Sequence, residues 1–329
     1  MAFVFRPEYQ LSQSVLDELH RHRVPTIQWV VDYRLWCSAG FFFNPALGEV
    51  CYRCARGRHW NAVRYRCSAG SLSLSTLDAA VRLVDNSLLR LDRRADIFVV
   101  PTQSTADVLR EATGLDTRRV LIIEHPIEDS DFVDAPQPRW EEPFVLFLGR
   151  LSPEKGLELL LGALTSVPGL RLEAYALDPL GREGQVREQI TSLGLAERVI
   201  LDTKARFGPA LVKRIAESRC VVVPSLWPDT SENVVLESMS LAKPVIVFSG
   251  GGNEDLVRRS GGGYVLDRGS RPQLVDALLS VRDSSTDLAA RGQLGVAFVK
   301  EAFSSSRFDA KIANAIATVI EVQRSMQGR

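Results

Sequence analysis

The sequence has no excess of charge of either sign. Lys plus Arg and Asp plus Glu each number 40 among 329 residues, so the formal net charge is zero. A chain without a net positive field has no general electrostatic attraction to nucleic acid. We therefore expect no nucleic-acid partner.

The sequence also lacks long hydrophobic runs and a recognisable export signal. Its first residues, MAFVFRPEYQLSQ, contain no basic stretch followed by an apolar stretch. No run approaches the roughly 20 apolar residues that a membrane-spanning helix needs. The expected location is the cytoplasm, either free or bound peripherally at the inner face of the membrane.

Cysteine is scarce and unevenly distributed. Four of the five cysteines follow the spacing C-x13-C-x2-C-x12-C, namely Cys37, Cys51, Cys54 and Cys67. This spacing contains one C-x2-C pair, whereas a zinc ribbon contains two. Disulfides are not expected, because the cytoplasm is reducing. Two interpretations stay open: ligands of a structural zinc, or ordinary buried and surface thiols. The fifth, Cys220, lies in an apolar run and is expected in the core.

Acidic residues are missing from the segment that holds three of these cysteines. CYRCARGRHWNAVRYRC, residues 51–67, has five Arg, one His, two Tyr and one Trp. A patch of this kind can contact anionic lipid headgroups or a phosphorylated lipid acceptor. A solvated surface loop explains the same composition, and the sequence does not choose between the two.

The chain does contain a regular alternation of short Val/Ile/Phe runs and helix-length amphipathic segments. This order predicts an α/β fold class with doubly wound parallel sheets, and 329 residues suit two domains of about 150 residues each. The predicted strands cover residues 26–31, 97–100, 120–124, 144–149, 171–176, 198–202, 220–225 and 244–249.

A Pro-rich, acidic connector, EDSDFVDAPQPRWEEP, separates the two halves of the chain. We place the domain boundary there. The first domain then covers 1–135, with the Cys/Arg-rich segment as an insertion, and the second covers 136–306. An amphipathic C-terminal helix at 307–329 follows, for which packing back on the first domain is one option. The DSD at 129–131 is interpreted as linker acidity rather than as a metal site.

The clearest candidate for chemistry is FVLFLGRLSPEKGLELLLGAL in the second half. A buried strand ends near Gly149, and the next loop carries Arg150 and Lys155 before a helix begins near Leu157. Carboxyl ends of parallel strands face the ligand crevice of such sheets, and a helix N-terminus attracts anions. The pattern indicates a pyrophosphate site, and two solvated surface cations are the alternative.

A second candidate is PDTSENVVLESM, which places three carboxylates in and before an apolar helix. In a structural interpretation, Asp229 is the N-cap of this helix and Glu232 is the N3 residue of a capping box. In a functional interpretation, the helix N-terminus near Asn233 and Val234 binds a phosphate, while Asp229 and Glu237 bind sugar hydroxyls. Glu237 stands in an apolar context, where a carboxylate is costly without a partner.

These motifs resemble the donor half of the family 4 retaining glycosyltransferases, also called glycosyl transferases group 1. GRLSPEKG and PSLWPDTSENVVLESMSLAKPVIVFSGGGNE carry the resemblance, in the family's order. It implies a GT-B fold, in which two Rossmann-like domains face a cleft. It also implies that Arg150 and Lys155 bind the donor diphosphate, that Glu237 binds the donor ribose, and that Asp229 contacts the transferred sugar. Positions that match the family's Gly-rich turn are Gly250, Gly251 and Glu254.

The sequence departs from the family pattern at several places. Ser231 and Glu232 stand where Phe-Gly is frequent, and Asn253 stands where proline is more usual. AYALDPLG, around Ala176, replaces a Gly-x-Gly turn. A carboxylate about 4 Å from a phosphate charge costs on the order of 1 to 4 kcal/mol. Glu232 is therefore expected to point outward and cap the helix.

The first half resembles the family's acceptor domain less completely. In VPTIQWVVDYRLWC, Val31 replaces a histidine of the family segment, whereas Asp32 and Tyr33 remain as acceptor-side candidates. Relatives carry further strands before this point, so the first domain is expected to be truncated and to open on a helix. The strand at 26–31 would then lie closer to a sheet edge, where a homo- or hetero-oligomeric partner could complete the domain.

The resemblance implies a glycosyltransferase that moves a sugar, with retention of anomeric configuration, from a nucleotide-diphosphate sugar to the hydroxyl of a sugar or lipid-linked acceptor. UDP and GDP sugars are the expected donors, and the pathway is expected to build a polysaccharide, glycolipid or other glycoconjugate. No cofactor is expected to be required for catalysis, and zinc at the Cys cluster would be structural. Two alternatives stay open: a non-catalytic or partner-dependent homologue that binds nucleotide sugars, and a phosphorylase-type enzyme of the same fold.

Overall fold

The computed structural model describes residues 1–5, 14–127, 143–204 and 208–327. Two compact units are formed, one by residues 1–125, 227–230 and 306–329, and the other by residues 126–226 and 231–305. The connector chosen as the domain boundary lies mostly in 128–142, outside the described residues, and so does the DSD at 129–131.

The first unit is built on a small parallel sheet. Its strands are β1 (Ala2–Phe5), β2 (Thr26–Trp29), β3 (Phe43–Asn44), β4 (Glu49–Val50), β5 (Ile97–Val100) and β6 (Val120–Ile122). Four strands form the sheet in the order β1-β2-β5-β6, and β3 pairs with β4 in a separate antiparallel ribbon. The helices are α1 (Ser14–Arg21), α2 (Trp60–Arg64), α3 (Leu72–Arg82) and α4 (Gln103–Thr113). A π-helical segment, Leu83–Leu88, continues α3.

The second unit is built on a larger parallel sheet. Its strands are β7 (Phe144–Arg150), β8 (Arg171–Leu177), β9 (Val199–Asp202), β10 (Cys220–Val223), β11 (Val245–Phe248) and β12 (Gly263–Leu266), in the order β12-β11-β10-β7-β8-β9. The helices are α5 (Leu157–Leu164), α6 (Glu183–Ser192), α7 (Pro209–Glu217), α8 (Asn233–Ser240), α9 (Gly252–Ser260), α10 (Arg271–Asp283) and α11 (Ser285–Ala302). Because the chain runs outward in both directions from β7, the carboxyl ends of β7 and β10 form a topological switch point, where such sheets bind ligands.

The last helix, α12 (Ser305–Gln327), belongs to the first unit from residue 306 onward. Its residues Ala315 and Val319 are buried in the same cluster as Ile27 and Trp29 of β2. This apolar cluster therefore joins the C-terminal helix to the sheet of the first unit. Among the described residues, no helix combines the length and apolarity that crossing a membrane requires.

Each predicted strand is present, with ends that differ by at most two residues. The expectation that the chain opens on a helix is wrong, because β1 precedes α1. This strand pairs in parallel with β2, from Ala2 opposite Thr26 to Phe5 opposite Trp29. Consequently β2 lies between β1 and β5 and is not an edge strand. Strand β1 was not predicted, because four residues are too few to establish an alternating or buried pattern.

Candidate functional site

A cavity of about 340 Å³ opens in the second unit beside the switch point of the sheet. Its volume falls in the range of small-molecule sites, about 300 to 1,000 Å³. The ends of β7 and β8 and the start of α8 line it. Five of the predicted donor-site residues lie in the wall, namely Arg150, Lys155, Asn233, Val234 and Glu237.

Lys155 is held in place by the tight turn between β7 and α5. It ends a single turn of 3₁₀ helix, Pro153–Lys155, and is followed by Gly156 with a left-handed φ of 71°. A Cβ atom at Gly156 would lie 2.1 Å from the carbonyl oxygen of Pro224. Every residue other than glycine would clash there. The close approach of Gly156 to the loop after β10 therefore fixes the position of the Lys155 backbone, from which its side chain extends.

Both cations of the first motif are paired with carboxylates in this structure. Arg150 Nη2 lies 2.9 Å from Glu154 Oε1, and the hydroxyl of Ser152 donates to the same oxygen at 2.6 Å. Lys155 Nζ donates to Glu232 Oε2, and the two side chains are 11% and 12% exposed. The cations therefore already face anionic groups inside the cavity wall.

The expectation that Glu232 points outward is wrong. Its carboxylate turns into the cavity wall, where Lys155 Nζ and the hydroxyl of Ser225 donate to its two oxygens. Burial alone would raise the pKa of Glu232, but Lys155 and the hydrogen bonds from Ser225 and Asn253 outweigh it and lower that pKa. Repulsion from a bound phosphate would turn this carboxylate outward, but Lys155 attracts it into the wall.

The capping-box interpretation is also wrong. Helix α8 begins at Asn233, with Glu232 in the N-cap position and no side-chain cap hydrogen bond. Asp229 lies three residues before the N-cap and so cannot be the cap. Between them Ser231 adopts a left-handed φ of 80°, a turn that separates Asp229 from the helix. Glu237 is exposed at the cavity rather than buried among apolar side chains, so its carboxylate carries no burial cost.

Two positions where the sequence departs from the family pattern touch each other. The backbone N–H of Glu232 donates to Asn253 Oδ1 at 2.8 Å, and Asn253 Nδ2 lies 3.5 Å from Glu232 Oε1. A proline at 253 would have no such side-chain acceptor. Asn253 thus anchors the N-cap residue of α8 and helps to orient its carboxylate.

The predicted Gly-rich turn precedes α9. Gly250 has a φ of 95°, and its N–H donates to Glu254 Oε2 at 2.6 Å. Gly251 is the N-cap residue of α9. Gly250, Gly251 and Glu254 do not line the cavity described above. In this structure Glu254 therefore stabilises the turn before α9 by accepting the hydrogen bond from Gly250.

The remaining predicted site residues belong to the first unit. Asp229 is buried in the segment 227–230, which packs there through Thr230, whose hydroxyl donates to the carbonyl of Val31 at 2.8 Å. Asp32 accepts a hydrogen bond from the backbone N–H of Arg34 at 2.9 Å. Tyr33 is fully buried and stacks on Phe42, with ring centroids 4.5 Å apart. Tyr33 is thus part of the core of the first unit.

Sequence reasoning missed Lys204 and Tyr175, which also line the cavity. Lys204 follows β9, and Tyr175 lies near the end of β8. The rule that pointed to Arg150, a cation just after a parallel strand, would also have found Lys204. Tyr175 has no comparable sequence signal, because a tyrosine in an apolar strand reads as a core residue.

The four clustered cysteines line one small cavity of about 10 Å³ in the first unit. This is close to the volume of a single water-sized sphere. Burial, reinforced by the neighbouring Cys37, Cys67 and Cys51, raises the pKa of Cys54 to about 12. In the described part of the chain no three His, Cys, Asp or Glu side chains are arranged to hold a metal ion. The structure thus brings the thiols together without forming a coordination geometry.

The zinc interpretation of these cysteines stays open beside that of ordinary thiols, and elemental analysis separates the two. If zinc is bound, protein purified without chelator should contain about one zinc per chain, since four thiolates suffice for a tetrahedral site. Cys54→Ser should lose the metal, whereas Cys220→Ala, which alters a buried thiol elsewhere, should retain it. Metal-free protein whose melting temperature does not respond to added zinc would contradict this prediction.

The region of the chain that contains the cavity matches a known protein family. Residues 130–293 match the family described as Glycosyl transferases group 1. The chain is 30% identical over 171 residues to a D-inositol 3-phosphate glycosyltransferase of Mycobacteroides abscessus, covering 48% of this chain and 38% of that protein. It is 26% identical over 186 residues to the sulfoquinovosyl transferase SQD2 of Arabidopsis thaliana, covering 52% and 34%. The aligned region therefore spans less than half the length of these curated relatives.

Solved structures match a much larger share of the chain. HepE of Anabaena in complex with UDP superposes with a TM-score of 0.68 at 18% identity, over 96% of this chain and 78% of HepE. Sucrose-phosphate synthase of Thermosynechococcus elongatus gives a TM-score of 0.69 at 17% identity, over 97% and 73%. At such identities the likeness concerns the fold alone. It confirms the predicted α/β fold class with two Rossmann-like parallel sheets of the GT-B type.

Proposed function

We propose that this chain, whose residues 130–293 match the glycosyl transferases group 1 family, transfers a sugar from a nucleotide-diphosphate sugar to an acceptor hydroxyl with retention of configuration. The observation that carries this proposal is the cavity of the second unit. There Arg150, Lys155 and the first turn of α8 converge beside the exposed carboxylate of Glu237. Cations and free helix N–H groups suit a diphosphate, and a carboxylate suits ribose hydroxyls.

The proposed chemistry uses the cavity as an electrostatic leaving-group site. The bond between the anomeric carbon and the phosphate oxygen breaks through an oxocarbenium-like transition state, and negative charge accumulates on the departing phosphate. Arg150, Lys155 and the N–H groups at Asn233 and Val234 stabilise that charge. The acceptor hydroxyl attacks the same face of the sugar, and its proton leaves with the nucleoside diphosphate. This proposal requires no metal ion for catalysis.

The ion pairs of Arg150 and Lys155 affect how a diphosphate can bind in this mechanism. A bound diphosphate has to displace Glu154 from Arg150 and Glu232 from Lys155, or share each cation with its carboxylate. Sharing is geometrically available to both cations, because a guanidinium has five N–H donors and an ammonium has three. Donor binding is thus expected to be weaker than in a cavity without Glu232.

Incubating the purified chain with a panel of nucleotide sugars, with and without candidate acceptors, tests the proposal. Release of nucleoside diphosphate with a glycosylated product of retained configuration supports it. Binding without turnover would instead support a non-catalytic homologue. Turnover that depends strictly on inorganic phosphate would support a phosphorylase-type enzyme.

Asp229 is proposed to contact the transferred sugar. Asp229→Asn should lower turnover about tenfold, as expected for the loss of a charge-assisted hydrogen bond, while UDP affinity changes little. Steady-state kinetics and calorimetric titration with UDP measure the two effects separately. Because Asp229 does not cap α8, loss of a helix cap is no longer a reason to expect instability. Normal turnover with a lowered melting temperature would show that Asp229 has only a structural role.

A further inference from the structure

The helix formed by α3 and its π-helical continuation exposes an unusually apolar surface. Seven large aliphatic side chains between residues 72 and 88 are more than 40% exposed, namely Leu72, Leu74, Leu77, Val81, Leu83, Val84 and Leu88. The other exposed residues of this stretch are serine, threonine and alanine. Among the residues of this helix, no fully exposed position is charged.

The charged residues of the same helix turn toward the protein. Arg82 is buried, with its guanidinium 3.9 Å from Asp78 and 3.8 Å from Asp85. A helix at the surface of a water-soluble domain normally has the opposite arrangement, with apolar residues inward and charges outward. The inversion is therefore a property of this helix and not of scattered surface leucines, which are common.

Much of the apolar surface lies along one line. Leu74, Leu77 and Val81 of α3 follow spacings of three and four residues, which places them on one face of an α-helix. Val84 and Leu88 of the π-helical segment extend this exposed apolar surface beyond the end of α3. We call these five residues the apolar stripe. Contiguous exposed apolar surface of this kind marks a site that binds a protein, a ligand or a membrane.

The helix that packs against α3 carries exposed cationic residues. Helix α2 packs against α3 through the buried residues Ala62 and Ala79. On α2 and its flanks Arg58, Arg64 and Arg66 are exposed, and so is Trp60 at 58%. Exposed Trp, arginines and an apolar helix face are the combination that binds the interface of a membrane with anionic lipids.

Other occupants fit this surface less well. Two copies meeting on a twofold axis would bring the same arginines together, which is repulsive. A coiled-coil partner needs charged flanking positions to specify pairing, but the flanking acids Asp78 and Asp85 are turned toward Arg82. Charge complementarity therefore favours a lipid surface.

We propose that the outward face of residues 72–88 docks in the plane of a membrane that contains anionic lipids. The apolar stripe enters the boundary between headgroups and acyl chains, and Trp60 anchors the neighbouring α2 at the same interface. The arginines on the flanks of α2 contact lipid phosphates. This inference is independent of the proposed function, since it concerns binding to lipid and not turnover.

Sedimentation of the full chain with vesicles tests the proposal. We expect binding to vesicles of equimolar phosphatidylcholine and phosphatidylglycerol, and weak binding to phosphatidylcholine alone. The double variant Leu77→Gln/Leu88→Gln should bind about tenfold more weakly or worse, since two exposed leucines no longer enter the apolar layer. Leu294→Gln, a matched change of a leucine that is 53% exposed on α11, should bind normally. Arg64→Gln and Arg66→Gln should each weaken binding about fivefold and reduce its dependence on salt.

Two results would overturn the proposal. One is failure of the wild-type chain to sediment with phosphatidylglycerol vesicles. The other is unchanged vesicle binding by the Leu77→Gln/Leu88→Gln variant. Light scattering on the same samples identifies the competing occupant: a dimer that this variant dissociates, without vesicle binding, would assign the apolar stripe to a second copy. The substituted leucines are exposed, so melting temperatures should stay within about a degree or two of wild type.

Discussion

Lys155→Met is expected to weaken the binding of UDP by about 30-fold or more. Lys155 supplies a charge-assisted hydrogen bond in a largely buried wall of the cavity, and such bonds contribute about 2 kcal/mol or more when a phosphate is the acceptor. Removing the lysine also leaves the carboxylate of Glu232 without its cation. The variant therefore loses an attraction to the diphosphate and gains an unneutralised repulsion. Calorimetric titration of UDP into the purified variant measures the combined effect of the lost attraction and the added repulsion on affinity.

The two contributions separate in the double variant Lys155→Met/Glu232→Gln. If Lys155 binds phosphate, affinity should recover only in part when Glu232 is neutralised. If Lys155 merely balances Glu232, the double variant should bind UDP as well as wild type. Lys243→Met is a suitable control, because it removes a buried lysine that does not line the cavity. Unchanged UDP affinity in Lys155→Met would refute the assignment of this cavity to the donor diphosphate.

The fold was predictable because its signals are local. The run IFVV is fully buried on both faces of its sheet, and the predicted and observed strand coincide at residues 97–100. A continuous apolar run of strand length bounded by polar turns permits few other structures. Edge strand β1 gave no such signal, since it consists of four residues.

The position of the candidate site was predictable for the same reason, but its internal contacts were not. Arg150 and Lys155 follow a recognisable strand and precede a recognisable helix, so their placement at the edge of the sheet follows from the topology. The pairing of Lys155 with Glu232 joins residues 77 positions apart, and no local pattern contains it. The orientation of Glu232 also depends on Asn253 of another helix, which the sequence showed only as a departure from the family pattern.

The inward-facing charges of α3 show that sequence periodicity does not always predict which face of a helix is buried. The spacing of its leucines and valines indicates a helix, but an apolar line and a charged line are both present in the sequence. Periodicity alone assigns the apolar line to the core. The structure assigns the small residues Ser75 and Ala79, with Arg82, to the buried side. Which side of such a helix is covered is decided by the neighbouring α2, through contacts that a linear pattern does not encode.

Glu232→Gln is expected to tighten UDP binding by about tenfold. A carboxylate about 4 Å from a phosphate charge costs on the order of 1 to 4 kcal/mol, and glutamine removes that charge while keeping nearly the same shape. Its amide oxygen can still accept the hydrogen bond from the hydroxyl of Ser225. Lys155 then needs no displacement from a competing anion before it meets the diphosphate.

The charge on Glu232 is present at every pH used for such assays. Its folded-state pKa is lowered below the ordinary value of 4.5, because Lys155 and its hydrogen bonds outweigh burial. A group with a depressed pKa stabilises the folded state above its unfolded pKa, and this contribution is lost as the pH falls through the folded pKa. The unliganded Glu232→Gln protein should therefore melt at a lower temperature than wild type near neutral pH, and the difference should shrink under acidic conditions.

Stability and affinity are thus expected to change in opposite directions in this variant. Without UDP the buried Lys155 lacks its anionic partner, which lowers the melting temperature, and with UDP the diphosphate supplies that partner. Glu217→Gln provides the matched control, because Glu217 is a buried carboxylate paired with Arg214 away from the cavity lining. It should lose stability without any gain in UDP affinity. If Glu232→Gln binds UDP no better than Glu217→Gln, then Glu232 does not oppose the donor, and a bound diphosphate lies elsewhere than beside Lys155.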